Sequence, residues 1–163
     1  MAGASPYISG RHPGGDRMTS ARDLIGLARR AGRAGDPAAR ELVAEYHGLD
    51  RIESWLADQV GTAIRAGHLP PAASSVARLF SGEAGTRRAE IALELAGPLA
   101  VMSDPATPGE PPVGVRFLAR QGGSLGGGST EIARNIISER LLGMPREYAA
   151  DKGVPFSQVK RGR

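Results

Sequence analysis

Three consecutive glycines, Gly126, Gly127 and Gly128, run directly into Ser129-Thr130-Glu131 and then into a segment carrying Ile132, Ile136, Ile137 and Leu141. That spacing lays one apolar stripe along a helix, with Arg134, Glu139 and Arg140 on other faces, so the glycine run abuts a helix amino terminus. The first N–H groups of a helix have no partner within it, and the aligned peptide dipoles leave that end partly positive. The backbone amides of Gly126, Gly127 and Gly128 therefore converge with the dipole on one point suited to an anion such as a phosphate or pyrophosphate. The same arrangement serves as a flexible joint, and spacing alone does not separate the two uses.

Other chemistry is thinly supplied. His12, His47 and His68 stand at spacings that match no metal motif and read as surface or packing residues, so no metal site is expected. Ser124 and Ser129 flank the glycines, but there is no Gly-x-Ser-x-Gly turn and no histidine paired with them. With no cysteine, disulfides, thiolate chemistry and cysteine ligands are all excluded, and a reducing compartment is permitted.

The elements that must position the glycine run read as helices. Ser20 followed by Asp23 marks the start of a first helix near 20 to 34, carrying Leu24, Ile25, Leu27 and Ala31 and closed by Gly32 or Gly35. Asp36-Pro37 opens a second, near 37 to 66, whose Leu42, Tyr46, Leu49, Ile52, Leu56, Val60 and Ile64 step by three or four. Gly67-His68-Leu69-Pro70-Pro71 is a turn between antiparallel neighbours. A third helix, near 72 to 97, is expected to bury Val76, Leu79, Phe80, Ile91 and Leu95. Pro105, Pro108, Pro111 and Pro112 with Gly109 make a loop, and Val113 to Gln121 is ambiguous. A final helix near 129 to 143 stops at Leu142-Gly143-Met144-Pro145. The resulting fold class is all-α. Residues 1–18 are expected to be a disordered segment, 19–146 the helical domain, and 147–163 an extended tail anchored by Val154 and Phe156.

At 163 residues one domain is the default, and with 4% aromatic residues its core must be built from Leu, Ile, Val and Ala. Lysine and arginine number 21 against 17 acidic residues, a +4 excess spread along the chain, without the basic stripe and interleaved aromatics of a nucleic-acid binder. No apolar run approaches the roughly 20 residues of a membrane span. The first sixteen residues lack the apolar stretch of a secretory signal, and the cytoplasm is the expected location.

Taken in order, Gly126-Gly127-Gly128-Ser129-Thr130-Glu131-Ile132, Arg134-Asn135-Ile136-Ile137, Glu139-Arg140-Leu141-Leu142-Gly143 and Pro145-Arg146 resemble the last helices of the acyl-CoA dehydrogenases. Upstream, Ser74 to Ser81 and Arg87 to Pro98, ending in Leu95-Ala96-Gly97-Pro98, resemble that family's penultimate long helix, and Asp36-Pro37 the start of the helix before it. The likeness spans Ser20 to Arg146 and corresponds to the carboxy-terminal helical part of a typical member. It implies an antiparallel up-down helical bundle of the acyl-CoA dehydrogenase C-terminal type, incomplete because the family's first long helix has no counterpart here.

The resemblance also implies flavin chemistry. Members take a proton from the carbon beside a thioester carbonyl and pass a hydride from the next carbon to FAD, in fatty acid metabolism and related lipid catabolism. In many of them the base is a glutamate just before the Gly-Thr that opens the last helix. Matching that motif puts Gly127 at the base position, Gly128 at the glycine, Ser129 at the threonine and Glu131 at the later acidic position. Glycine cannot accept a proton, so no catalytic residue is assigned and the isolated chain is expected to be inactive. Gly126, Gly127, Gly128, Ser129 and Glu131 are the candidate FAD-binding residues, although Ser129 and Glu131 suit plain capping equally well. Arg78-Leu79-Phe80-Ser81-Gly82 is superficially similar to the family's flavin-contacting Arg-x-x-Phe-Gly, but its place in the helix order belongs to another segment.

A truncated or split acyl-CoA dehydrogenase subunit is thereby expected. It would work in a homo- or hetero-oligomer with acyl-CoA dehydrogenase-like subunits and meet acyl-CoA only when assembled. The alternative is a non-catalytic helical interaction module derived from the same family.

Overall fold

The computed structural model describes residues 20–102, 112–126, 128–146, 148 and 152–159. They form five α-helices with no strand among the described residues: α1 (Ala21–Arg30), α2 (Pro37–Arg65), α3 (Ser74–Ala96), α4 (Val113–Leu125) and α5 (Thr130–Arg140). Short 3₁₀ turns at Pro71–Ala73 and Gly97–Val101 flank α3. The segment 1–18 expected to be disordered and the proline loop at 103–111 lie outside the described residues.

Helix starts follow their capping chemistry. Ser20 caps α1 in a reciprocal box, with the Asp23 carboxylate accepting from the Ser20 N–H at 3.1 Å. Asp36 caps α2 by accepting from the Ala38 N–H at 2.9 Å, and Pro37 occupies the position where its missing donor costs nothing. Arg33 pairs with Asp36 at 2.8 Å and donates to the Glu94 carbonyl at 2.8 Å, tying the α1–α2 corner to the end of α3. Gly32 at φ +69° follows the end of α1 at Arg30, four residues earlier than the span of 20 to 34 suggests.

Helix α3 is the hub: α1 and α2 pack on it and on each other, while α4 and α5 pack on it separately. Leu24, Leu27, Leu42, Tyr46, Ile91 and Leu95 form the core with several alanines, and Leu24, Ile91 and Leu95 are fully buried. Each fully buried leucine or isoleucine stabilises the fold by about 2 kcal/mol. Arg87 adds two hydrogen bonds to Glu45 at 2.6 and 2.7 Å, and Arg88 pairs with Asp50 and Glu53, locking α2 to α3 along their polar margin.

Ile91 and Leu95 are buried as expected, whereas Val76, Leu79 and Phe80 are only half-buried. The amino half of α3 faces α4 and α5 instead, and the fully buried residues there are small: Ala73, Gly82, Ala84 and Ala133. Small side chains let backbones approach but bury little area, so α4 buries no residue completely. On α2, Ile52 is exposed although it stands in the apolar register, whereas Val60 two turns further on is buried.

The ambiguous stretch from Val113 is a helix through Leu125. Gly114, Gly122 and Gly123 each lower helix propensity by about 1 kcal/mol relative to alanine, which obscures it in sequence. Packing on α3 compensates, and Gly114 sits so close to the end of the 3₁₀ turn that an added Cβ would stand 2.9 Å from the Ala100 carbonyl oxygen. Beyond α5, Gly143 at φ +66° supplies the stop read from sequence. Within the tail, Phe156–Gln158 is a 3₁₀ turn and the expected anchor Val154 is exposed, while the Phe156 side chain lies outside the described residues.

Candidate functional site

Because α4 runs to Leu125, Gly126 and Gly128 stand between two helix ends. The Gly126 N–H donates to the Gly122 carbonyl at 3.0 Å as the last rung of α4, and the Gly128 N–H donates to the Leu125 carbonyl at 3.1 Å. Two of the three glycine amides expected to be open to an anion are thus committed inside the turn. Gly127 lies outside the described residues. Gly128 has φ +108° with open space around its missing Cβ, so its backbone conformation, not crowding, requires glycine there.

Ser129 caps α5, its Oγ accepting from the Ile132 N–H at 3.3 Å. The amides without a protein partner among the described residues are therefore those of Ser129 and Thr130. Glu131 follows, and its own backbone N–H, then the Ser129 and Thr130 hydroxyls, hold its carboxyl below the usual glutamate range. Thr130 Oγ1 donates to that carboxylate at 3.1 Å. Glu131 is thus an ionised cap residue, and its side chain is mostly exposed.

The feature that sequence reasoning missed is Arg78. From α3, its Nη2 donates to the carbonyl oxygens of Gly123 at 3.1 Å, Gly126 at 2.7 Å and Gly128 at 3.0 Å. These carbonyls belong to the last turn of α4 and the joint after it, where helical geometry leaves acceptors unused. One turn further along α3, Gly82 makes room for the clamp: a Cβ there would stand 2.9 Å from Thr130 Cγ2 and 3.0 Å from Arg78 Nη1. The sequence signal was present as an arginine and a glycine four residues apart on one helix face.

An open groove of about 310 Å³ runs beside the turn, lined by Gly82, Glu83, Thr86, Gln121, Ser124 and Thr130 among others. Glu83 is paired with Arg134, and the neighbouring Glu90 faces Arg87 at 3.6 Å. Both groove carboxylates thus face arginines, and no group of three or more potential metal ligands occurs among the described residues.

Hub helix, small-residue packing and a clamped glycine turn define an all-α helical-bundle domain. Residues 17–142 match the family model described as Acyl-CoA dehydrogenase, C-terminal domain, and the chain belongs to the acyl-CoA dehydrogenase family. It is similar to acyl-CoA dehydrogenase IpdE1 of Mycobacterium tuberculosis, 36% identical over 140 residues that make up 82% of this chain and 34% of that protein. It is also similar to acyl-CoA dehydrogenase IpdE1 of Mycolicibacterium smegmatis, 33% identical over 138 residues, 82% of this chain and 33% of the relative. The chain therefore spans about a third of the length of these curated relatives. No solved structure matches it. No helix among the described residues is long and apolar enough to cross a membrane.

Proposed function

We propose that this chain serves as a helical subunit of a split or truncated acyl-CoA dehydrogenase, working on acyl-CoA in the cytoplasm. It lends bundle surface and part of an FAD site to an assembly whose other chains supply the catalytic carboxylate. The observation that carries this reading is the turn before α5, where Arg78 secures the carbonyl side while the Ser129 and Thr130 amides stay without a protein partner among the described residues. Such amides fit a phosphate or carbonyl oxygen of a flavin nucleotide, and side-chain-free Gly126, Gly127 and Gly128 would allow it close approach. Glu131 keeps Ser129 and Thr130 ordered through the cap. When bound, FAD supplies the hydride acceptor; the contribution of this chain is to bind and orient.

The reading that the base lies on another chain is supported by glycine at position 127, the family's usual base position, and by the engagement of the nearby acids. Glu131 is held in its cap and Glu83 is paired with Arg134. Association is supported by apolar side chains left in solvent on the α4 and α5 side: Val115, Leu118, Leu125, Ile132 and Leu142. Burying such residues at about 25 cal/mol per Å² drives assembly with acyl-CoA dehydrogenase-like subunits, as a homo- or hetero-oligomer.

Co-expression with an acyl-CoA dehydrogenase-like chain that carries the missing carboxylate tests the proposal. A yellow complex with a flavin absorption band, active on an acyl-CoA only when both chains are present, is the expected result. A stable but colourless complex would instead identify a non-catalytic interaction module. Turnover by the isolated chain would overturn the assignment of the base to a partner.

A further inference from the structure

We propose that Arg78 is the positioning residue of the Gly128–Ser129 peptide at the start of α5, setting which way the Ser129 amide points. A trans peptide carries its C=O and the following N–H in opposite directions, and there is no cis bond among the described residues. Holding the Gly128 carbonyl against α3 at 3.0 Å therefore turns the Ser129 N–H away from α3. Without the clamp, Gly126 and Gly128 have no side chain to restrict their backbone, and the peptide planes can rotate.

Arginine suits this post for two reasons. Its fixed planar fork reaches across from α3, and one nitrogen serves three acceptors through shared hydrogen bonds of the kind common at helix termini. Its charge is also not spent on a carboxylate: among the described residues its contacts are backbone carbonyls. A cation drawing on the carbonyl oxygens polarises those peptides and strengthens their N–H groups as donors. Gly82 completes the device, because any side chain there would crowd the guanidinium and Thr130 together. Arg78 acts on the ligand only through the turn, and its value to flavin binding rests on the function proposed above.

The test compares wild type, Arg78→Gln and Arg78→Lys as full chains by hydrogen exchange and mass spectrometry. The relevant amides are those hydrogen-bonded within the turn and first turn of α5: Gly126, Gly128, Ile132 and Ala133. Arg78→Gln is expected to accelerate exchange in the segment 122–133 at least tenfold while segments holding Leu24 and Ile91 keep wild-type protection. Arg78→Lys, which retains charge and donors, is expected to recover part of the protection. Unchanged exchange in 122–133, or a uniform rise across all helices, overturns the positioning role. In the co-expressed complex, Arg78→Gln is expected to weaken flavin retention at least tenfold. If the wild-type complex is colourless while the exchange result holds, the flavin reading fails and the positioning role stands; flavin retention equal to wild type despite accelerated exchange overturns the link between them.

Discussion

Gly82 lies buried where α3 meets the end of α4 and the start of α5, and replacing it with alanine tests that meeting point directly. The added Cβ would stand 2.9 Å from Thr130 Cγ2, 3.0 Å from Arg78 Nη1 and 3.8 Å from the Ser124 Cα. Carbon atoms rest at about 3.5–4.0 Å, so Thr130 and the first turn of α5 must withdraw by roughly 0.6–1 Å. Overpacking of this kind costs about 1–3 kcal/mol. Opposing it is the gain of about 0.5–1 kcal/mol for exchanging glycine for alanine within a helix. Gly85, on the same helix, has nothing within 4 Å of its Cβ position and isolates that gain. Gly85→Ala is expected to raise unfolding free energy by about 0.5–1 kcal/mol, and Gly82→Ala to lower it by about 1 kcal/mol. Thr130→Ser deletes the obstructing methyl while keeping the hydroxyl, so the double variant should recover most of the loss, appearing as a coupling energy in a double-mutant cycle. Urea unfolding followed by circular dichroism at one fixed protein concentration supplies the numbers. Equal stabilisation by the two alanines, or no recovery with Thr130→Ser, would refute the packing of α5 on α3 described here.

Leu95→Ala, at a fully buried position, is expected to cost about 2–5 kcal/mol in the same assay; a cost below 1 kcal/mol would contradict the assigned core. Leu118, 76% exposed on α4, behaves oppositely. Leu118→Glu should leave unfolding of the chain nearly unchanged but shift size-exclusion elution at micromolar concentration toward the monomer, and an unchanged elution volume would argue against association through that face. The third concerns pH. Arg87, hydrogen-bonded to Glu45, holds that carboxyl below its ordinary 4.5, so the folded state binds this proton less readily than the unfolded chain. A depressed folded value gives stability that is present above the unfolded value and lost as pH falls through the folded one. Both side chains are about two-fifths exposed, which limits the pair to less than about 1 kcal/mol. The stability gap between wild type and Glu45→Gln is therefore expected to be small at pH 7 and to close below the carboxylate range; a gap that widens on acidification would refute the assignment.

Caps and stops were legible in sequence because they depend on one or two residues at fixed offsets. Ser20 with Asp23, Asp36 with Pro37, Ser129 and Gly143 all stand where their side-chain or backbone chemistry requires. Periodicity located α2 and α3, yet it did not say which part of each stripe would be covered: Ile91 and Leu95 are buried while Val76, Leu79 and Phe80 are half-exposed. A one-dimensional pattern marks an apolar face, and only the tertiary arrangement determines how far a neighbour extends along it. Helix α4 was hidden because its glycines oppose the local preference, and its contacts with α3 come from residues distant in sequence. That omission changed the site. With α4 unrecognised, the amides of Gly126 and Gly128 looked free, and the acceptors that engage Arg78 could not be anticipated.

The position of the turn between two helix ends poses an electrostatic problem that Arg78 resolves. The carboxy end of α4 carries about half a negative charge, and the amino end of α5 about half a positive one. Set side by side across Gly126 to Ser129, the two fields nearly cancel for a ligand approaching from solvent. A bare glycine turn of this kind would therefore have little attraction for an anion, whatever its amides offered. Arg78 places a full positive charge on the α4 carbonyls, at 2.7 Å from the Gly126 oxygen, and offsets the negative end at its source. What remains is the positive end of α5, with the Ser129 amide oriented by the same contact. On the function proposed above, an anion site at the last helix depends on this cation from α3 as well as on the glycines themselves.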